Sequence, residues 1–320
     1  MTCCVRASPS LALVKYWGKI PGGVNIPATS SLAVTLGAFH STTTVSEIDA
    51  VHDDTIEIDG RSQEIDGFRP VIDAIRDRAA APRPVRIESA NDFPTAAGLA
   101  SSSSGLAALT LGLDAVFRTG LSGAELSAAA RLGSGSAARA VFGGYTEWRA
   151  GSDWAAPVAD ASHWPDVRIL IAVLRSERKP VSSRAGMESS RLTSPYYPAW
   201  IETSEKLFTD AKSALLARDL EKLGTAMRQS YLRMFSTMFT SEPPLFYWMP
   251  ESLALLRCCE AMRNAGIGVW ETMDAGPQVK LLLAADDVPA VSRAVKDAVP
   301  GAELVESTVG GAPEVSVVEV

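Results

Sequence analysis

The string Pro94-Thr95-Ala96-Ala97-Gly98-Leu99-Ala100-Ser101-Ser102-Ser103-Ser104-Gly105 is the first stretch whose residue types and spacing suit chemistry. Small side chains let an anion approach the backbone, and the helical pattern that follows offers N–H donors and a positive dipole end to phosphate. The serine hydroxyls of Ser101 and Ser102 add donors or a ligand for a divalent cation. The Gly-Lys-Ser/Thr ending of a Walker loop is missing, so an ordinary serine-capped turn fits the local pattern equally well. Lys15-Tyr16-Trp17-Gly18-Lys19 sets two lysines four residues apart with aromatics between them. They suit phosphate and carboxylate oxygens, or a plain solvated basic patch. Gly133-Ser134-Gly135-Ser136-Ala137-Ala138-Arg139 again opens a helix with small residues and ends in a cation. Arg139 can clamp a carboxylate at two points, or cap a helix or pair with a surface acid. In Met273-Asp274-Ala275-Gly276-Pro277, between two strand patterns, the aspartate either shapes the turn through its own backbone or stands over a reactive hydroxyl. Spacing alone does not choose.

These strings need elements to hold them. Ser31–Val45 is β-branched and alternating, and Asp54–Ile65 predicts a hairpin turning at Asp59-Gly60. Phe68–Ala79 has helical periodicity, Val85–Ser89 reads as a strand, and Leu99–Phe117 as an Ala/Leu-rich helix. Ser122–Leu132 and Ser136–Phe142 predict two further helices, Tyr145–Trp148 a strand, Gly151–Pro165 a loop and Val167–Leu174 a buried strand. After the basic turn Arg175–Arg184, expected to order over a bound nucleotide, come helices at Pro198–Ala217, Leu220–Phe239 and Pro250–Ala265. Pro243-Pro244 parts the last two. Strand Gly268–Met273, strand Gln278–Ala284, helix Val288–Val299 and closing strands complete an α+β chain. The change of character near residue 180 divides it into units 1–180 and 181–320.

The 320 residues are 47% hydrophobic and 21% charged, enough apolar material for a substantial core. A formal net charge of -7 excludes the broad basic field of a nucleic-acid binder but leaves room for cations concentrated in a cleft. No apolar run approaches the ~20 residues that span a bilayer, and the N-terminus lacks signal-peptide organisation. The cysteines form two adjacent pairs, Cys3–Cys4 and Cys258–Cys259, which are poor disulfide partners and lack metal spacing. They read as small residues of a reducing cytoplasm. His40, His52 and His163 are scattered, and Phe246-Tyr247-Trp248 reads as a packed helix start rather than a base-stacking platform.

Six strings occur in one order: Val14–Gly18; Asn25-Ile26-Pro27 with Ser30-Ser31; Phe93–Ser102; Gly133–Arg139 with Phe142-Gly143-Gly144-Tyr145; Val181–Met187; and Met273–Pro277. That ordered set closely resembles the diphosphomevalonate decarboxylases of the GHMP kinase superfamily, from about residue 7 to the last strands. The resemblance implies a GHMP kinase fold, with an N-terminal domain like the second domain of ribosomal protein S5 and a C-terminal ferredoxin-like domain. It implies ATP-dependent decarboxylation of mevalonate 5-diphosphate through a 3-phosphorylated intermediate, with ATP and Mg²⁺ as cofactors, and a homodimer without membrane or nucleic-acid partners. On the same basis Asp274, Lys15 and Arg139 are expected to be catalytic. Tyr16, Lys19, Ser136, Ser183 and Arg184 are expected around the substrate. Pro94, Ala97, Gly98, Leu99, Ala100, Ser101 and Ser102 are expected on the nucleotide phosphates, with Ser101 or Ser102 toward the metal.

The chain departs from the family pattern at Ile20-Pro21, where a charged pair is usual, and at Thr29, where asparagine is usual. Leu232 and Phe235 fall where the family carries asparagine and histidine. These departures keep three alternatives in view: a mevalonate 5-phosphate decarboxylase, a mevalonate 3-kinase, and a non-catalytic paralogue that senses nucleotide or isoprenoid precursors.

Overall fold

A computed structural model describes residues 1–49, 51–93, 101–174 and 181–318. Along the chain run β1 (Thr2–Ala7), β2 (Ser10–Val14), β3 (Ser31–Thr35), β4 (Ser41–Glu47), β5 (Thr55–Ile58), β6 (Arg61–Gln63), α1 (Arg69–Arg76) and β7 (Val85–Asn91). Next come α2 (Ser101–Phe117), α3 (Gly123–Gly133), α4 (Ala137–Ala140), β8 (Tyr145–Trp148), β9 (Ala156–Ala159) and β10 (Val167–Val173). The remainder is α5 (Ser183–Thr193), α6 (Tyr197–Leu216), α7 (Leu220–Phe239), α8 (Pro250–Asn264), β11 (Val269–Met273), β12 (Val279–Ala284), α9 (Val288–Ala298), β13 (Glu303–Ser307) and β14 (Glu314–Val318).

Among the described residues the strands form three sheets, ordered β14-β1-β4-β7-β5-β6, β11-β12-β10-β13 and β2-β3-β8-β9. Helix α2 lies on the first sheet, where Val5, Val45, Ile87, Leu109 and Leu113 share one core. Gly112 permits that approach, since a Cβ there would sit 2.7 Å from a Val45 methyl. Helix α7 joins the other two sheets. Its Leu223 and Met227 pack with Leu13, Leu32 and Ile169, while its Tyr231, Met234 and Phe235 pack with Trp17 and Leu281. Each such side chain contributes on the order of 1.5–3 kcal/mol by leaving water, so α7 holds the two sheets at a fixed distance.

Local chemistry explains most element ends. The β5–β6 hairpin turns at Asp59 and Gly60, both at positive φ, as a tight two-residue connection requires. Ser122 and Glu125 form a capping box at the start of α3. The β-branched stretch expected over Ser31–Val45 is two strands, because the chain turns at Gly37 and passes from one sheet to another. There the Gly37 N–H donates to the Thr308 carbonyl at 3.0 Å, and a Cβ would meet Gly310 Cα at 3.2 Å.

Four elements escape the sequence reading. β1 and β2 carry no flanking turn signal strong enough to separate them. β9 occupies part of the expected loop Gly151–Pro165, with Pro157 tolerated on a strand at the sheet edge. α5 is serine-rich and is nucleated by Ser182, whose hydroxyl accepts from the Ala185 N–H. α4 is a single turn rather than the longer helix expected over Ser136–Phe142.

Candidate active site

The geometry starts from the β11–β12 hairpin, paired Met273↔Val279 and Thr272↔Lys280. Alternation along a strand sends Thr272, its cross-strand partner Lys280 and the next same-face residue, Asp274, to one side. The intervening turn is clamped from both flanks. Ser252, buried at the start of α8, donates to the Pro277 carbonyl at 2.8 Å, and Gln278 Oε1 accepts from the Leu174 N–H at 2.6 Å. Within the turn the Gly276 N–H donates to the Asp274 carbonyl at 2.7 Å. The aspartate of Met273–Pro277 therefore has its backbone held, and its side chain is free for other partners.

Those partners are two ammonium groups. Lys15 Nζ donates to Asp274 Oδ1 at 2.8 Å, and Lys280 Nζ donates to Oδ2 at 3.0 Å. Both lysine side chains are 2% exposed, whereas the Asp274 side chain is 38% exposed. Lys15 follows β2 and is pinned from behind: Nζ also donates to the Ala12 carbonyl at 2.7 Å, and its N–H donates to Ser230 Oγ of α7 at 2.9 Å. Burial works to raise the Asp274 carboxyl, but the two ammoniums outweigh it and hold it well below the usual carboxylate range. Burial also pulls Lys15 down to about 8, against the opposing attraction of Asp274.

Arg139 lies within the single turn of α4 and is 3% exposed. Its Nη1 donates to Ser31 Oγ at 2.7 Å, while its buried Nε finds no acceptor among the described residues. Burial draws its pKa down to about 10, with Tyr16 and Asp274 acting in the opposite direction. The guanidinium thus stays charged near neutrality, within electrostatic reach of Asp274, with an N–H left to give. A planar anion such as a carboxylate matches that unmet donor.

The second cation group surrounds Tyr16. Its ring lies 5.0 Å from that of Trp148, and Gly135 lets its hydroxyl approach the Gly133–Arg139 string, since a Cβ there would sit 2.4 Å from that oxygen. The loop after β2 folds back through a bridge between Lys19 and Pro27. Asn25, at positive φ, accepts from Lys19 Nζ at 2.5 Å through Oδ1 and donates to the Arg131 carbonyl at 2.8 Å. Burial lowers the Lys19 pKa, helped by Arg184 and opposed by Glu188. Arg184 is exposed at the start of α5, with half-buried Ser183 beside it, and Ser136 lies 3.2 Å from Ser134 through their hydroxyls. Arg139 and Arg184 both act electrostatically on Tyr16, and Arg184 also acts on Lys19, so these four share one neighbourhood.

Ser102 is exposed in the first turn of α2. Pro94, Ala97, Gly98, Leu99 and Ala100 lie outside the described residues, as do 175–180 of the basic turn, and of Ser101 only the backbone is described. No group of three or more His, Cys, Asp or Glu placed to hold a metal ion occurs among the described residues. No described helix is long and apolar enough to cross a membrane.

Residues 7–159 match the family model for the diphosphomevalonate decarboxylase-like N-terminal domain, and residues 169–319 that for the mevalonate 5-diphosphate decarboxylase C-terminal domain. The chain belongs to the diphosphomevalonate decarboxylase family. It is 35% identical to the diphosphomevalonate decarboxylase of Gibberella zeae, over 92% of this chain and 84% of that protein. Its fold matches the mevalonate diphosphate decarboxylase of Staphylococcus aureus with a TM-score of 0.93 at 33% identity, covering 99% of this chain and 98% of the other. It also matches a structure of MDDEF in complex with MVAPP, AMPPCP and magnesium, with a TM-score of 0.91 at 34% identity and 99% of each chain covered. The GHMP kinase fold expected from the resemblance is the fold observed.

Several residues that shape this site were not singled out by sequence. Lys280 had a signal, a lysine inside an otherwise apolar strand. Ser230 had none, because only the packing of α7 against β2 shows which of its small residues meets Lys15. Asn25 and Ser31 sit in strings the resemblance uses, but their bonds to Lys19 and Arg139 are visible only in three dimensions.

Proposed function

We propose that this protein catalyses the ATP-dependent decarboxylation of mevalonate 5-diphosphate to isopentenyl diphosphate, releasing ADP, phosphate and CO₂. The observation that carries the reading is Arg139, buried and charged with an N–H unmet among the described residues, within electrostatic reach of the partly exposed Asp274. One group suits a carboxylate and the other a hydroxyl, and the reaction needs both on one substrate.

The C3 hydroxyl donates to Asp274 while its oxygen attacks the γ-phosphorus of ATP, and Lys15 neutralises charge on the transferring group. Asp274 is a weak base, but phosphoryl transfer asks mainly for positioning. Once the O–P bond begins to form, the hydroxyl proton becomes acidic enough for such a carboxylate to take it. The C3–O bond then breaks and phosphate leaves. The C1–C2 bonding pair becomes the new alkene bond as CO₂ departs, with Arg139 holding the carboxylate in line until then. Lys19, Tyr16, Ser136, Ser183 and Arg184 are assigned to the phosphate tail, and 94–102 to the nucleotide phosphates.

Magnesium suits this donor set because that ion commonly takes most of its ligands from phosphate oxygens and water. Exposed Ser102, with Ser101 beside it in sequence, would hold it, and the ion would neutralise the triphosphate. The reading assigns the phosphate loop to a functional half 1–180 and Asp274 to a half 181–320, in a cytoplasmic homodimer that sedimentation equilibrium tests. A second reading, mevalonate 5-phosphate as substrate, is favoured by Ile20 and Pro21, exposed apolar residues next to Lys19.

The deciding experiment supplies carboxyl-labelled mevalonate, its 5-phosphate and its 5-diphosphate, each with MgATP, and follows ADP and CO₂ together. Equal ADP and CO₂ from the diphosphate supports the first reading, and from the monophosphate alone the second. ADP without CO₂ identifies a 3-kinase, and neither product from any substrate identifies a non-catalytic binder.

A further inference from the structure

Lys280 is the one charged residue of β12, and its strand neighbours Val279, Leu281, Leu282 and Leu283 are all buried. A buried ammonium is costly unless it is paired and hydrogen-bonded. Here it is 2% exposed and its partner is Asp274 Oδ2 at 3.0 Å. Lys15 reaches the other oxygen from a different sheet, tied to the Ala12 carbonyl. With one donor on each oxygen, from two separately anchored strands, the carboxylate plane cannot turn. Each oxygen keeps a further lone-pair position for a group in the cleft.

We propose that Lys280 is a positioning residue of the reaction, locking the Asp274 carboxylate from the side opposite Lys15 and supplying its second positive charge. The proposal rests on the reading of Asp274 as the group facing the substrate hydroxyl. Among the described residues three charged groups act on Asp274: Lys15 after β2, Lys280 of β12 and Arg139 of α4. From α7 and α8 come the neutral Ser230, bonded to the Lys15 backbone, and Ser252, bonded at the turn. With Lys280 gone, Lys15 and the more distant Arg139 are the cations that remain among the described residues to oppose the effect of burial on the carboxylate. Asp274 then takes up a proton at higher pH, and its side chain gains a rotation.

The test uses the full chain and three variants. Lys280→Met removes the charge at similar length, Lys280→Arg keeps it, and Lys280→Gln keeps a donor without charge should the methionine variant fail to fold. In protein labelled with ¹³C at aspartate carboxyls, the Asp274 signal is identified by its loss in Asp274→Asn. Its titration midpoint is expected to rise by about one pH unit or more in Lys280→Met and to stay near the wild-type value in Lys280→Arg. The kcat at neutral pH falls about tenfold with KM little changed, as loss of aim requires. A midpoint that is unmoved in Lys280→Met, or that moves equally in Lys280→Arg, overturns the proposal. The carboxyl titration reads Lys280 even if no substrate is turned over, so failure of the assigned reaction and failure of this inference are separate results.

Discussion

Lys15 occupies a place that does not favour an ammonium, buried at 1% exposure with Asp274 as its compensation. Its pKa of about 8, against an ordinary 10.5, has two consequences with opposite uses of pH. For stability, the unfolded chain binds a proton more tightly than the folded one between those values, so Lys15 makes stability rise as pH increases through that window. Asp274 works at the acid end. Its folded pKa is depressed, so its contribution is present above the ordinary carboxylate pKa and is lost on acidification. For activity, loss of the Lys15 charge removes the cation on the transferring phosphoryl group. The profile of kcat/KM against pH, which reports the free enzyme, is expected to fall along a limb near pH 8. Lys15→Arg, which stays charged, is expected to be slower and to lack that limb. Asp274→Asn is expected to lose about 10²-fold or more in kcat, with substrate binding by calorimetry retained. Full turnover in that variant removes Asp274 from the assigned role.

At the scale of elements, the site depends on how closely α7 lies on β11. Gly224 is the contact: a Cβ there would fall 2.0 Å from Trp270 Cγ, and the indole has the Arg263 guanidinium 4.9 Å over its ring. The ring has little room to move, so Gly224→Ala must push the helix away. That displaces Ser230, which holds the Lys15 backbone, and disturbs the strand leading to Asp274. A loss of about 1–3 kcal/mol by urea denaturation is expected from the overpacking, with kcat reduced although residue 224 touches no ligand. Wild-type kcat in a destabilised Gly224→Ala would show that the α7–β11 spacing does not set the site. This element was half legible. The span Leu220–Phe239 reads directly from helical periodicity, and the strings around Lys15, Arg139 and Asp274 read from residue type and order. The face that α7 turns to β2, and the meeting of Lys15 with Asp274, depend on contacts between residues far apart in sequence. β9 and α5 were hidden for a simpler reason: proline and serine blur the local pattern, and neighbouring elements decide the outcome.

Across the whole molecule, the linear order of the chain is not the order of its sheets. β10 precedes residue 180 yet lies between β12 and β13, while β14, at the far end, pairs with β1. Lys15 and Asp274, 259 residues apart, meet across this exchange. A fragment 181–320 would lack the strand that joins β12 to β13, leaving Leu281 and Leu282 without Leu170 and Ile169 to pair beside them. A fragment 1–180 would carry β10 with no sheet to receive it and β1 with a bare edge, a template for aggregation. Neither fragment is expected to fold alone. Equimolar coexpression is expected to yield a complex that unfolds in one transition. If fragment 181–320 alone gave dispersed amide resonances and a cooperative melt, β10 would be a dispensable addition to that sheet. The meeting of Lys15 with Asp274 would then be a contact between two independent bodies rather than a product of their shared strands.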